Sequence, residues 1–144
     1  MKNDTQPDSD LIGDIAIMHS KFGVYGAVSK MTPEMKREFL ALRWASIYEE
    51  GVELDEAIDQ KDPEEIVDAL IDIMVFTLGT LDVFNVDAAQ AWKQVLKANM
   101  AKNVGVKEGR PNPFGLPDLV KPEGWQPPSH AGNHGMLSEM YPAK

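Results

Sequence analysis

The sequence predicts an all-α fold: a bundle of about four helices followed by an extended, proline-rich C-terminal arm. Three observations predict it. Four stretches repeat apolar residues at helical spacing. Their starts carry helix-capping signals. Seven prolines then fall between Pro111 and Pro142, where no long helix can continue.

The elements follow in order. Residues 1–9 are polar and acidic and read as a disordered tail. Leu11, Ile12, Ile15, Ala16, Met18 and Phe22 give a first helix, stopped by Gly23. A linker containing Gly26 comes next. Thr32 as N-cap and Pro33 at the first helical position open a long helix to about Gln60. Its apolar face uses Phe39, Leu40, Trp44, Ile47, Leu54 and Ile58, and Gly51 interrupts it at a cost of about 1 kcal/mol relative to alanine. The segment DPEE at 62–65 is a capping signal with Pro at the first position. It opens a helix to about Phe84 that buries Ile66, Leu70, Ile73, Met74, Thr77 and Leu81. Asp87 and Gln90 open the last helix, which carries Trp92, Val95, Leu96 and Met100 and stops before Gly105. No strand-like alternation or repeat is visible. Short links favour antiparallel neighbours. The expected organisation is a tail over 1–9, a helical catalytic domain over 10–104, and an arm over 105–144 that packs on the core or on a neighbouring subunit.

At 144 residues and 43% hydrophobic composition, the chain can bury a core of its own. It has no cysteine, which excludes a disulfide scaffold, a thiol nucleophile and a cysteine-built zinc site. No apolar run approaches the length of a membrane span. With no signal peptide at its polar start, a cytoplasmic protein is expected. The net charge of −9 argues against long nucleic acids and anionic membranes as partners.

That charge is concentrated. Between Glu49 and Asp72 stand eleven acidic residues and one basic residue, Lys61. From Lys93 to Lys121 the balance reverses, with six basic residues against two acidic ones. Within the acidic stretch, Glu49, Glu50 and Glu53 form EExxE, and spacings of three and four place Glu53 beside both partners. Asp68 and Asp72, four apart, share a face of the next helix. In an antiparallel hairpin these two acidic faces can meet. Like charges at such spacings oppose helix formation, and a divalent cation relieves them. An all-oxygen donor set suits magnesium, with manganese as a substitute. The bland alternative is a solvated acidic face on a helical interaction module. Glu56, Asp59 and Glu64 read that way. A di-iron site would need Glu-x-x-His pairs, and His19, His130 and His134 are not so placed. Asn99 and Lys102, one turn apart at the end of the last helix, suit a phosphate. No glycine-rich P-loop is present. Met18, Phe22, Trp44 and Tyr48 are candidates to hold a base, although apolar residues on such helices commonly belong to a core. Trp125 either closes the site or latches onto a neighbouring subunit.

EEGVE at 49–53, DALID at 68–72 with IMVFTLGT after it, NVDAAQAW at 85–92, ANMAK at 98–102 and KPEGWQPPS at 121–129 together carry a resemblance. In this order they are similar to the MazG-like all-α nucleoside triphosphate pyrophosphohydrolases, in the phage and bacterial branch termed phosphoribosyl-ATP pyrophosphohydrolase-like. The resemblance spans about residues 10 to 130. It implies a helical bundle forming a homodimer or homotetramer. It also implies Mg2+-dependent cleavage of a nucleoside triphosphate between the α and β phosphates.

Glu50 and Glu53 match the family's paired glutamates, and Asp72 its following aspartate. The glutamate expected three residues before Asp72 is replaced by Ala69, so Asp68 is taken as the substitute, with Glu65 the other contender. Metal ligands are thus expected at Glu50, Glu53, Asp68 and Asp72. Glu49 is expected to hold a second metal or serve as general base, and Lys102 to stabilise the leaving pyrophosphate. Substrate contacts are expected from Asn99, Lys102, Phe22, Trp44 and Trp125. A purine deoxynucleotide such as dGTP is the first-choice substrate, in nucleotide-pool control during phage infection. Phosphoribosyl-ATP and dUTP or dCTP are the alternatives.

Overall fold

The structure is a computed structural model that describes residues 10–110 and 113–142. It is all-α in character: α1 (Leu11–Lys21), α2 (Val24–Ser29), α3 (Pro33–Gln60), α4 (Pro63–Val83), α5 (Ala88–Met100) and α6 (Leu137–Met140), with a small hairpin of β1 (Asn103–Gly105) and β2 (Asp118–Val120). The expected tail over 1–9 lies outside the described residues. Among the described residues, no helix is long and apolar enough to cross a membrane.

The caps act where the sequence puts them. Thr32 accepts the Met35 N–H at 3.2 Å and opens α3. Asp62 Oδ1 accepts the N–H groups of Glu64 and Glu65 at 3.0 and 3.3 Å and opens α4 behind Pro63. Between them Lys61 and Asp62 turn the chain, Lys61 in the left-handed conformation at φ 58°. This two-residue turn makes α3 and α4 antiparallel neighbours.

The chain divides into two compact units. The first comprises the described residues up to Ala88 together with 134–142. Its core is Val28, Val83, Phe84 and Met140, each about 1% exposed, with Phe39 and Leu40 packed against them. The second unit, residues 89–133, holds most of α5 and the hairpin. In the hairpin Asn103 pairs with Val120 and Gly105 with Asp118, in antiparallel register.

Several expectations change. The division falls at Ala88, inside the stretch expected to be one helical domain. The linker around Gly26 is helical, as α2. The expected arm carries β2 and α6, and β1 straddles its expected start; strands this short show no apolar alternation that would announce them. Its end belongs to the first unit's core. Gly135, at φ 51°, brings the chain so close to Phe84 that a Cβ would collide with the backbone carbonyl there, and the Met136 N–H bonds that carbonyl at 2.7 Å. Trp44, Ile58, Leu70, Met74 and Thr77, expected on buried faces, stay exposed in the single chain.

Candidate functional site

Glu50 lies eleven residues before Lys61, and Asp72 eleven after it. At 1.5 Å per residue, both stand about 16 Å from the turn along antiparallel helices. The turn therefore brings the two acidic faces level. Glu50 is half-buried, and its Oε2 is shielded from solvent with no hydrogen-bond partner. Burial raises its pKa, the charges of Glu53, Asp72 and Asp68 raise it further, in that order, and a side-chain hydrogen bond with Glu53 adds to the rise. Glu65 is not among the groups that act on it. Ala69 is 4% exposed, so the helix face where the family pattern wants a glutamate is spent on packing. Asp68, one position earlier, carries its carboxylate on the accessible side. Glu49 and Glu53 are exposed, and Asp72 is half-buried.

This arrangement fits a hard divalent cation. The donors are all oxygen, one of them is buried and unpartnered, and among the described residues no ion pair with a lysine or arginine relieves the group. Among the described residues no three acidic or histidine side chains already stand in ligating geometry. The carboxylates would have to draw inward around the ion.

The basic candidates belong to the second unit. Lys102 donates to Asn99 Oδ1 at 2.9 Å, across one turn at the end of α5. The Trp125 indole N–H donates to the Ala98 carbonyl at 2.7 Å, which fixes the ring against the same turn. The ammonium of Lys102 is 5.5 Å from the Trp125 ring centre, and that of Lys121 is 4.8 Å from it. Asn99, Lys102 and Trp125 are thus assembled together. Phe22 and Trp44 belong to the first unit, where they are 70% and 65% exposed.

A further cluster, built around His19, carries no motif in the sequence. His19 is buried, and its Nδ1 stands 2.6 Å from Asp82 Oδ2. Tyr25 donates to the same oxygen at 2.6 Å. Gly79 makes room: a Cβ there would stand 3.3 Å from His19 Cε1 and 3.8 Å from Arg43 Nη1. The Arg43 guanidinium lies over the rings of Phe39 and Phe76, at 5.0 and 5.8 Å, and burial lowers its pKa. Arg43 precedes Glu50 by seven residues and Gly79 follows Asp72 by seven, so this cluster lies two turns along the α3–α4 seam. His19 and Asp82 are 63 residues apart, and nothing local in the sequence links them.

A family model described as phosphoribosyl-ATP pyrophosphohydrolase matches residues 26–99, just over half of the chain. The match takes in the carboxylates of α3 and α4 and ends at Asn99. No curated protein matches the chain.

Proposed function

The chain belongs to the phosphoribosyl-ATP pyrophosphohydrolase family, within the MazG-like all-α pyrophosphohydrolases, and from that premise we propose that it hydrolyses a nucleoside triphosphate to the monophosphate and pyrophosphate with Mg2+. The observation that carries this reading is Glu50. A half-buried carboxylate with an unpartnered oxygen, pressed by Glu53, Asp68 and Asp72, is costly unless a cation joins it.

In this reading Glu50, Glu53, Asp68 and Asp72 hold the metal, and Mn2+ substitutes. The bound ion supplies Lewis-acid polarisation of the phosphates and a more acidic water. The oxygen of water attacks the α phosphorus, and the bond to the α–β bridging oxygen breaks. Glu49, exposed on the adjoining helix position, takes the proton and returns it to solvent. Lys102, oriented by Asn99, offsets the charge gathering on the departing pyrophosphate. Phe22, Trp44 and Trp125 remain the proposed contacts to the nucleoside.

A purine deoxynucleoside triphosphate such as dGTP is the favoured substrate, in cytoplasmic nucleotide-pool control of a phage type. The family description favours a second reading, phosphoribosyl-ATP, which presents the same bond. A homodimer or homotetramer is proposed from the apolar surface the single chain leaves open: Ile17, Leu42, Trp44, Tyr48 and Val67 are each more than 60% exposed.

The test is a panel of ribo- and deoxyribonucleoside triphosphates, with phosphoribosyl-ATP, in Mg2+. Pyrophosphate rather than phosphate is the expected product. Glu53→Gln should abolish its release while helicity is kept. Pyrophosphate from no substrate, or near-normal turnover in that variant, would overturn the reading. A non-catalytic helical module would show neither turnover nor a tight Mg2+ site.

A further inference from the structure

The β1–β2 register has a consequence for the residues that flank it. Asn103 pairs with Val120, so the next residues outward, Lys102 and Lys121, come opposite each other across the mouth of the hairpin. The backbone N–H of Lys107 bonds Asp118 Oδ2 at 3.2 Å, which helps hold this register at the other end. Like charges directly opposite one another weaken a strand pair. Here the two ammonium groups also converge on one indole, at 5.5 and 4.8 Å from the Trp125 ring centre. Among the described residues neither lysine forms an ion pair. Asp118 is held by the Lys107 backbone, and Glu123 lines a groove beside Lys97 without pairing with either.

The geometry points to an anion clamp in which Lys121 is a second phosphate ligand beside Lys102, with Trp125 as the pillar that positions both. Trp125 has its indole N–H committed to Ala98 and its ring to the two cations. Lys102 spends one of its three donors on Asn99 and keeps two. Lys121 adds three more. Two ammonium groups gathered on one ring match a ligand with charge on neighbouring phosphates better than a single phosphate. The ligand class is therefore a di- or triphosphate, and in the proposed reaction it is the β–γ end that leaves as pyrophosphate. That last assignment rests on the proposed function; the clamp itself does not.

The experiment is calorimetric titration of the full-length, metal-free protein with inorganic pyrophosphate in a chelator. Without metal the acidic cluster repels this probe, so the signal reports the lysines. Lys121→Met is expected to weaken binding roughly tenfold, and Lys121→Arg to stay within about threefold of the parent. The salt dependence should flatten in Lys121→Met alone. No binding by the parent at millimolar pyrophosphate, or equal binding by Lys121→Met, would overturn the clamp. So would equal loss in both variants, since that outcome reports damage to the hairpin rather than a lost charge. A protein that binds pyrophosphate through Lys121 but hydrolyses no triphosphate keeps the clamp and loses the proposed function. A hydrolase indifferent to Lys121 does the reverse.

Discussion

Tyr25 donates its phenol hydrogen to Asp82 Oδ2 at 2.6 Å. The bond holds the phenol in its protonated form. It is the largest of the effects that push the Tyr25 pKa up to about 12, ahead of burial and the Asp82 charge. Tyr25 should therefore ionise late in a near-ultraviolet pH titration. The sign follows from linkage. A folded pKa raised above the unfolded value near 10 contributes stability that is fully present below pH 10 and lost as pH rises through 12. Tyr25→Phe should remove the late ionisation. A titration in which the late ionisation survives that substitution would show that the assignment is wrong.

Lys61 closes α3 in the left-handed conformation, where a Cβ is a liability. Its N–H bonds the Ile58 carbonyl at 3.0 Å, and the Asp62 N–H bonds that of Ala57 at 3.0 Å, so both bonds that close α3 are backbone bonds. Lys61→Gly keeps both bonds and relieves the strain. It should raise stability by about 0.5–1 kcal/mol in urea unfolding. A loss of stability would mean that the lysine side chain supports the turn.

Met140 is buried among Val28, Val83 and Phe84, close to the C-terminus. Arg37 Nη1 donates to its carbonyl at 3.0 Å, and Lys36 pairs with Glu139 at 3.1 Å. Met140→Ala should cost about 2–5 kcal/mol, the range for truncating a fully buried methionine. Glu139→Gln should cost under about 1 kcal/mol, because its carboxylate is largely solvated. Equal effects from the two would contradict the placement of Met140 in the core.

These contrasts show what the sequence could carry. The α3–α4 hairpin was legible because its signals are local: Thr32, Pro33, Asp62 and Pro63 act on the residues beside them. The meeting of Glu50 with Asp68 and Asp72 was legible because helical spacing and a short turn fix it together. The seat of Met140 was not, since a four-residue helix owes its stability to a surface made by residues more than fifty positions away. The hairpin was missed because three-residue strands are too short to show a period. The His19–Asp82 contact has no local signature at all. The Trp44 face was misjudged because helical periodicity marks an apolar stripe without saying what covers it.

Glu50→Gln separates structural cost from function at one atom. The parent must hold a half-buried carboxylate with an unpartnered oxygen against Glu53, Asp68 and Asp72. The amide keeps the shape and removes the charge, so the metal-free variant should unfold at higher urea or temperature than the parent at neutral pH. The opposite should hold for metal. A carboxylate oxygen is a hard, anionic ligand and an amide is neutral, so Mg2+ affinity by calorimetry should fall. Turnover should fall with it, on the order of a hundredfold or more. Added Mg2+ should stabilise the parent and leave the variant nearly unmoved, which reverses their order of stability. If the variant is no more stable without metal and binds Mg2+ as tightly as the parent, the Glu50 carboxylate is merely solvated and the metal belongs elsewhere.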